Sequence, residues 1–134
     1  MKYRKREIER YLDEVKQAIR NRRYLVSARG KNEQLFIDFV FTEKMREQIL
    51  LNLCVEDFCG TVKNEHPRYA HEILYIFGKS VRLLPRFGRS EKVVHLYIKI
   101  NKLQDLFCVI ISFHEQEYPL KYVFRPFENT EDDL

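Results

Sequence analysis

Two apolar segments separated by a short polar one constrain the fold of this chain more than any other feature. Residues 93–100 read V-V-H-L-Y-I-K-I and residues 106–118 read L-F-C-V-I-I-S-F-H-E-Q-E-Y, with N-K-L-Q-D between them. Both segments are rich in β-branched and aromatic residues, which are enriched in strands. The pattern therefore predicts two antiparallel strands joined by a hairpin.

The alternation within each segment predicts which side chains share a face, because successive side chains of a strand point to opposite sides. In the first segment one predicted face is wholly apolar and consists of Val94, Leu96, Ile98 and Ile100. The other face is mixed and consists of Val93, His95, Tyr97 and Lys99. In the second segment the two sets are Phe107, Val109, Ile111 and Phe113 against Cys108, Ile110, Ser112 and His114. The second set of each segment is predicted to form one polar surface.

A tight two-residue turn in the N-K-L-Q-D segment sets the predicted register of this hairpin. It places Tyr97 opposite Ile110 and His95 opposite Ser112. A slip of one residue would put His114 on the core side instead. The plainest interpretation is an ordinary antiparallel sheet with one solvated face, which needs no catalytic role.

Composition favours one globular domain over residues 1–134. Hydrophobic residues make up 45% and charged residues 33% of the chain, and no apolar segment is long enough to span a bilayer. No apolar segment follows the charged N-terminus, so the sequence predicts neither a signal peptide nor a membrane partner. Three cysteines without a C-x-x-C pair favour reduced thiols and a cytoplasmic protein.

The net charge of +4 is unevenly distributed. Lysine and arginine crowd the first 31 residues, and acids crowd the end of the chain, E-N-T-E-D-D-L. The basic excess permits an anionic partner such as nucleic acid. The acidic tail, residues 128–134, is expected to be frayed and solvated.

The rest of the chain predicts helices first and strands afterwards. Residues 6–22 carry an apolar stripe of helical spacing, Ile8, Leu12, Val15 and Ile19. The other predicted elements are a helix at 34–40, a helix capped by Thr42, a strand at 72–77, short β segments at 24–28, 55–59 and 122–124, and a basic loop at 82–90. This order predicts an α+β fold, an antiparallel sheet with the N-terminal helices packed on one face.

The polar surface of the hairpin carries groups suited to RNA cleavage without a metal. Cleavage needs a base for the ribose 2′-hydroxyl, an acid for the 5′-oxygen and cations at the phosphate. Histidine suits either proton transfer because its ordinary pKa is about 6.5. We expect His114, Tyr97 and Lys99 to converge, with Lys63 and Lys79 on nearby segments. Tyr97 and Tyr118 are candidates for stacking on bases of single-stranded RNA.

Other chemistries fit less well. The four histidines lack the spacings typical of metal sites, so no metal or other cofactor is predicted. Cys108 near His95 suggests a thiol nucleophile, but a buried structural thiol explains the same residue.

Four segments of the chain resemble the MqsR family of type II toxins, and the resemblance extends over residues 7–125. In chain order the segments read L-C-V-E-D-F-C-G, I-F-G-K, L-Y-I-K-I and I-S-F-H-E-Q-E-Y-P-L-K-Y. The resemblance implies a RelE-like fold and a ribosome-independent endoribonuclease that cleaves single-stranded mRNA and is silenced by a cognate protein antitoxin.

The resemblance also implies roles for individual residues. The family's catalytic tyrosine falls on Tyr97 with Lys99 two residues later, and its basic residue after S-F falls on His114. Gly60 stands where the family has a loop lysine, and Lys63 is the nearest candidate. The family residue on the preceding strand maps to Tyr75 or Lys79. The hypothesis is that His114, Tyr97 and Lys79 are catalytic and that Lys99, Lys63, Tyr75 and Tyr118 bind substrate.

Two other functions remain open at this point. One is a non-catalytic nucleic-acid-binding module that uses the same basic surface. The other is a degenerate toxin-fold subunit that acts only through protein contacts.

Overall fold

The described part of the chain, residues 2–125 of a computed structural model, has an α+β fold. The helices and strands, in chain order, are α1 (Lys5–Arg20), β1 (Tyr24–Val26), α2 (Gly30–Asp38), α3 (Glu43–Leu51), β2 (Phe58–Lys63), β3 (Ile73–Leu83), β4 (Lys92–Lys102) and β5 (Cys108–Glu115). Single turns of 3₁₀ helix lie at Val55–Asp57 and Pro67–Tyr69. The predicted acidic tail lies outside the described residues.

The five strands form one mixed sheet in the order β1-β5-β4-β3-β2. Strands β2 to β5 pair in antiparallel fashion, as predicted. Strand β1 pairs parallel to β5, so the sheet is mixed and differs at this edge from the antiparallel sheet that was predicted. More than eighty positions separate Tyr24 from its partner Cys108, and no local pattern specifies so distant a pairing.

Helix α1 forms because its apolar residues recur on one stripe. Ile8, Leu12, Val15 and Ile19 are all buried, as their spacing predicted. Full burial of each such side chain contributes about 1.5–3 kcal/mol. The helix ends at Arg20, two residues earlier than predicted, and Arg22 follows with a positive φ of 62°.

Helices α2 and α3 begin at different kinds of signal. The hydroxyl of Thr42 accepts a hydrogen bond from the Met45 amide at 3.1 Å, which confirms the predicted N-cap of α3. Helix α2 begins at Gly30, four residues before the predicted start. Its buried Asn32 donates to the Ile111 carbonyl and accepts from the Phe113 amide, so this side chain continues the hydrogen bonding of β5 beyond the residues that pair with β1.

The sheet has a helix-side face and an outer face. On the helix-side face the β4 residues Val94, Leu96, Ile98 and Ile100 are buried, as their alternation predicted. Tyr11 of α1 packs on this face, donating to the Ile100 carbonyl at 3.3 Å and stacking on Tyr75. The outer face is the other side of β3, β4 and β5, and it carries Gly78, Tyr97, Lys99, Ser112 and His114.

The observed register of the hairpin differs from the predicted one. Tyr97 pairs with His114 and Lys99 pairs with Ser112. The predicted pairs, Tyr97 with Ile110 and His95 with Ser112, were wrong because the connection is longer than a two-residue turn. The Leu103 amide donates to the Phe107 carbonyl across a five-residue loop.

A β-bulge in β5 explains why its predicted faces were right for Ser112, Phe113 and His114 but wrong for Cys108 and Ile110. The register shifts where Lys99 pairs with Ser112 but the next residue of β4, Ile100, pairs with Ile110. Ile111 is therefore an extra residue, and it reverses the alternation. Before the bulge, Ile110 lies in the core with Ile100, and after it Ser112 and His114 lie on the outer face while Phe113 is buried.

The buried tyrosine of α1 makes folding stability sensitive to alkaline pH. Burial raises the pKa of the Tyr11 phenol above its ordinary value. A raised folded-state pKa stabilises the fold below the unfolded value of about 10, and this contribution is lost as the pH rises further. Tyr11→Phe is expected to flatten the fall in unfolding free energy above about pH 10. Denaturant titrations at increasing pH measure the unfolding free energy of both proteins.

Phe77→Leu is the control for that experiment. It removes buried apolar volume beside Tyr11 without changing an ionisable group. This substitution should lower stability equally at every pH and leave the alkaline slope unchanged. An identical alkaline slope in Tyr11→Phe and the parent protein would contradict the prediction.

Candidate functional site

The pair Tyr97 and His114 lies at the centre of the outer face. The two residues are directly opposite in β4 and β5, and their rings stack with centroids 5.3 Å apart. His114 Nδ1 lies 2.8 Å from the Glu115 carbonyl oxygen. Because a carbonyl only accepts, Nδ1 carries a proton, and in the neutral ring Nε2 has the free lone pair. The imidazole thus presents a base when neutral and an acid when protonated.

Two cations lie beside this pair. Lys99 is the next outward residue of β4, about 6.5 Å along the strand from Tyr97. Arg29, which precedes α2, donates from Nη1 to the Ser112 hydroxyl at 3.3 Å. Ser112 is itself opposite Lys99, so the arginine and the lysine flank the same hydroxyl. The resulting arrangement is suited to an anionic group.

A small cleft brings these groups together. Its volume is about 160 Å³, and it is lined by Arg29, Lys31, Tyr97, Lys99, Ser112, His114, Glu117 and Tyr118. Four of the seven predicted site residues, Tyr97, Lys99, His114 and Tyr118, therefore lie in one place. Arg29 and Lys31 were missed as site residues, because only the pairing of β1 with β5 brings the R-G-K sequence to this surface.

Burial in the cleft changes the proton affinity of two of its groups. It lowers the pKa of the Lys99 ammonium, and the neighbouring Arg29 charge acts in the same direction. It raises the pKa of the Tyr97 phenol, with the nearby Tyr118 phenol adding to the effect. The phenol is therefore neutral at physiological pH and available as a hydrogen-bond donor, while Lys99 releases its proton more readily than an exposed lysine.

The segment 116–125, here called the strap, crosses the outer face and forms one wall of the cleft. Gln116 donates from Nε2 to the Leu96 carbonyl at 3.0 Å. Further along, Tyr122 lies so close to β3 that a Cβ atom on Gly78 would be 2.5 Å from its hydroxyl oxygen. Glycine at position 78 therefore permits the strap to lie on the sheet.

The end of the strap was predicted as a short strand at 122–124, which was wrong. It is irregular, and the Val123 amide donates to the Phe58 carbonyl at 3.0 Å. The strap also places a carboxylate in the cleft, since Glu117 lies 2.7 Å from the Lys31 ammonium.

Two predicted site residues lie on the opposite face of the sheet. Lys79 pairs with Leu96, so its side chain points to the helix side, where Nζ is 3.0 Å from Asp57 Oδ2. Tyr75 pairs with Ile100 and stacks on Tyr11 with ring centroids 3.7 Å apart. The expectation that Lys79 and Tyr75 join the cluster was wrong because the strand alternation directs them away from it.

Lys63 is also distant from the cleft. It is exposed at the end of β2, opposite Ile73, and strand β3 lies between β2 and β4. His95 is on the outer face, where its Nδ1 lies 2.7 Å from the Ser80 hydroxyl. It lines a groove that adjoins the cleft but not the cleft itself.

The alternative of a cysteine nucleophile is not supported by the position of Cys108. Its side chain is fully buried on the helix side, before the bulge, whereas His95 is on the outer face. Burial raises the pKa of the Cys108 thiol to about 11, so the thiol stays protonated at neutral pH. Cys108 is therefore a core residue.

Residues 2–125 also bear on metal binding and on membrane insertion. Within this range no three His, Cys, Asp or Glu side chains are grouped closely enough to hold a metal ion. None of its helices combines the length and apolar character that crossing a membrane requires.

The chain was compared with models of known protein families, with curated proteins and with solved structures, and none of the three comparisons gave a match.

Proposed function

We propose that the protein is a metal-independent endoribonuclease that cleaves single-stranded mRNA, and that it acts as the toxin of a type II toxin-antitoxin pair. The observation that carries the nuclease proposal is the cleft in which the His114 imidazole, the Tyr97 phenol and the cations Lys99 and Arg29 surround one space. These groups provide proton transfer, hydrogen bonding and positive charge, which phosphodiester cleavage requires.

The proposed reaction is attack of the ribose 2′-hydroxyl on the adjacent phosphate. His114 Nε2 accepts the 2′-hydroxyl proton, the 2′-oxygen bonds to phosphorus, and the bond from phosphorus to the 5′-oxygen breaks. Lys99 donates a proton to the departing 5′-oxygen, a step that its lowered pKa favours. The products are a 2′,3′-cyclic phosphate and a 5′-hydroxyl, and both side chains recover their starting states by proton exchange with water.

The remaining groups act on the charge of the phosphate. In this proposal the Tyr97 phenol donates a hydrogen bond to a non-bridging oxygen, and the Arg29 guanidinium neutralises the negative charge that develops there. Both groups are positioned before substrate arrives, Tyr97 by stacking on His114 and Arg29 by its bond to Ser112. Such preorganised charge is often the largest contribution to catalysis.

The toxin assignment draws on the sequence likeness to the MqsR family. The L-Y-I-K-I segment lies in β4 and the I-S-F-H segment in β5, so the motifs carry the residues of the cleft. A RelE-like fold, a cytoplasmic location and a cognate protein antitoxin follow from the same proposal.

The purified protein is expected to cut a labelled single-stranded RNA in the presence of EDTA, leaving 2′,3′-cyclic phosphate ends. The matched control is the same RNA with a 2′-O-methyl group at the cut site, which should remain intact because it lacks the nucleophile. RNA binding without cleavage would favour the non-catalytic binding module. Absence of both binding and cleavage would favour a degenerate interaction subunit.

A further inference from the structure

The loop between β3 and β4 presents an aromatic side chain entirely to solvent. Phe87, in the sequence L-P-R-F-G-R, is 100% exposed. An isolated exposed aliphatic residue is ordinary, but a phenylalanine with no burial at all offers a large apolar ring to a partner.

The loop that carries this ring is held in place by hydrogen bonds to its neighbours. The Gly88 amide donates to the Pro85 carbonyl at 3.1 Å and closes a turn around Phe87. Arg86 anchors the turn to α2, since its backbone amide donates to Asp38 and its Nε to the Phe36 carbonyl at 2.8 Å. Ordering the ring against a ligand therefore costs less entropy than it would on an unanchored loop.

Basic residues flank Phe87 in the sequence. Residues 82–92 contain four basic side chains and one acid: Arg82, Arg86, Arg89 and Lys92, with Glu91. Glu91 lies 3.6 Å from Arg82, and Lys92 lies over the ring of Phe39. An aromatic ring among cations is the combination that binds single-stranded nucleic acid without reading its sequence.

A groove extends from the proposed active-site cleft toward this loop. It has a volume of about 500 Å³ and shares Glu117 and Tyr118 with the cleft. It follows β4 past His95 to Val93, next to the residue at which the loop ends. Tyr97 and Lys92 are about 17 Å apart along the strand, a length that several nucleotides of an extended strand can cover.

We propose that the Phe87 loop is a second RNA subsite, several nucleotides from the scissile phosphate, in which Phe87 stacks on a base and Arg89 contacts the backbone. The inference rests on the proposed nuclease function and adds a determinant of substrate length. The continuity of the groove with the cleft and the excess of basic residues in the loop favour single-stranded RNA over a protein partner.

Phe87→Ala is expected to lower affinity for a single-stranded RNA of about ten nucleotides by roughly tenfold, since stacking contributes strongly to each bound base. Cleavage of a dinucleotide, which reaches only the cleft, should keep its kcat/KM. Phe87→Trp should retain the affinity of the parent for the long RNA. Arg89→Ala should reduce the slope of log affinity against log salt concentration by about 0.7, as expected for one lost phosphate contact.

Ile37→Ala is the matched control, because Ile37 is a 59% exposed apolar residue of α2 that lies outside both the groove and the cleft. It should bind the long RNA like the parent. If Phe87→Ala binds the long RNA as tightly as the parent, the second subsite is overturned, even where the variant has lost binding to a protein. Cleavage of the dinucleotide would in that case still support the active site. Failure of the parent to bind or cut any RNA would overturn both proposals.

Discussion

Replacing His114 with glutamine is expected to lower the rate of RNA cleavage by about a hundred- to ten-thousand-fold while RNA affinity changes little. Glutamine keeps a polar group of similar length but exchanges no proton at neutral pH. Single-turnover cleavage under saturating protein, together with equilibrium binding of the same RNA, separates the two effects.

His71→Gln provides the matched control for that measurement. His71 is an exposed histidine in the turn before β3, outside the cleft. This substitution should leave both cleavage and binding as they are in the parent protein. Cleavage by His114→Gln at the parental rate would remove His114 from the mechanism. Loss of binding in step with cleavage would instead make it a binding residue.

The parts of the fold that sequence predicted are those specified locally. The stripe of Ile8, Leu12 and Val15 identifies the buried face of α1 because helical spacing depends only on neighbouring turns. The alternation in β4 identifies its buried side for the same reason. Thr42 marks the start of α3 because a cap is satisfied within three residues.

The register of β5 was not predictable because it depends on a bulge. The I-I-S-F sequence is compatible with either side chain set facing the core, since Ile110 and Ile111 are equally apolar. The choice is made by contacts from distant elements. Asn32 of α2 holds the Ile111 carbonyl and the Phe113 amide, and Ile110 packs opposite Ile100. The bulge also shapes the candidate site, because it brings His114 beside Tyr97.

The candidate site was predictable only in part for a related reason. Tyr97 and His114 lie on adjacent strands of one hairpin, so the sequence predicts that they share a surface, although only the observed register places them directly opposite each other. Arg29 reaches the site through the parallel pairing of β1 with β5, which no turn or residue spacing in the sequence predicts. Lys79 resembled Lys99 in the sequence as a lysine within a strand. It pairs with Leu96, however, so its side chain points to the helix side of the sheet.

Asp57→Ala is expected to lower the free energy of unfolding by about 3 kcal/mol, at the lower end of the range for a disrupted buried ion pair. The carboxylate is almost fully buried and accepts hydrogen bonds from the Cys54 amide at 2.9 Å, from Lys79 Nζ at 3.0 Å and from Arg125 Nη2 at 3.1 Å. The lower end applies because the side chains of Lys79 and Arg125 are 24% and 35% exposed and regain part of their hydration. Chemical denaturation followed by far-ultraviolet circular dichroism measures the change.

Lys79→Met separates the structural role of this ion pair from a catalytic one. It removes one of two cations from Asp57 but leaves Arg125 in place, so the loss of stability should be smaller than in Asp57→Ala. Because Lys79 lies on the helix side of the sheet, cleavage per folded molecule should match the parent protein. A fall in the cleavage rate of the folded protein comparable to that of His114→Gln would instead place Lys79 in the reaction and require a different path for the RNA. Asp57 also holds Arg125 at the end of the strap. Loss of this ion pair in Asp57→Ala should therefore loosen the strap, which forms the wall of the cleft that carries Tyr118.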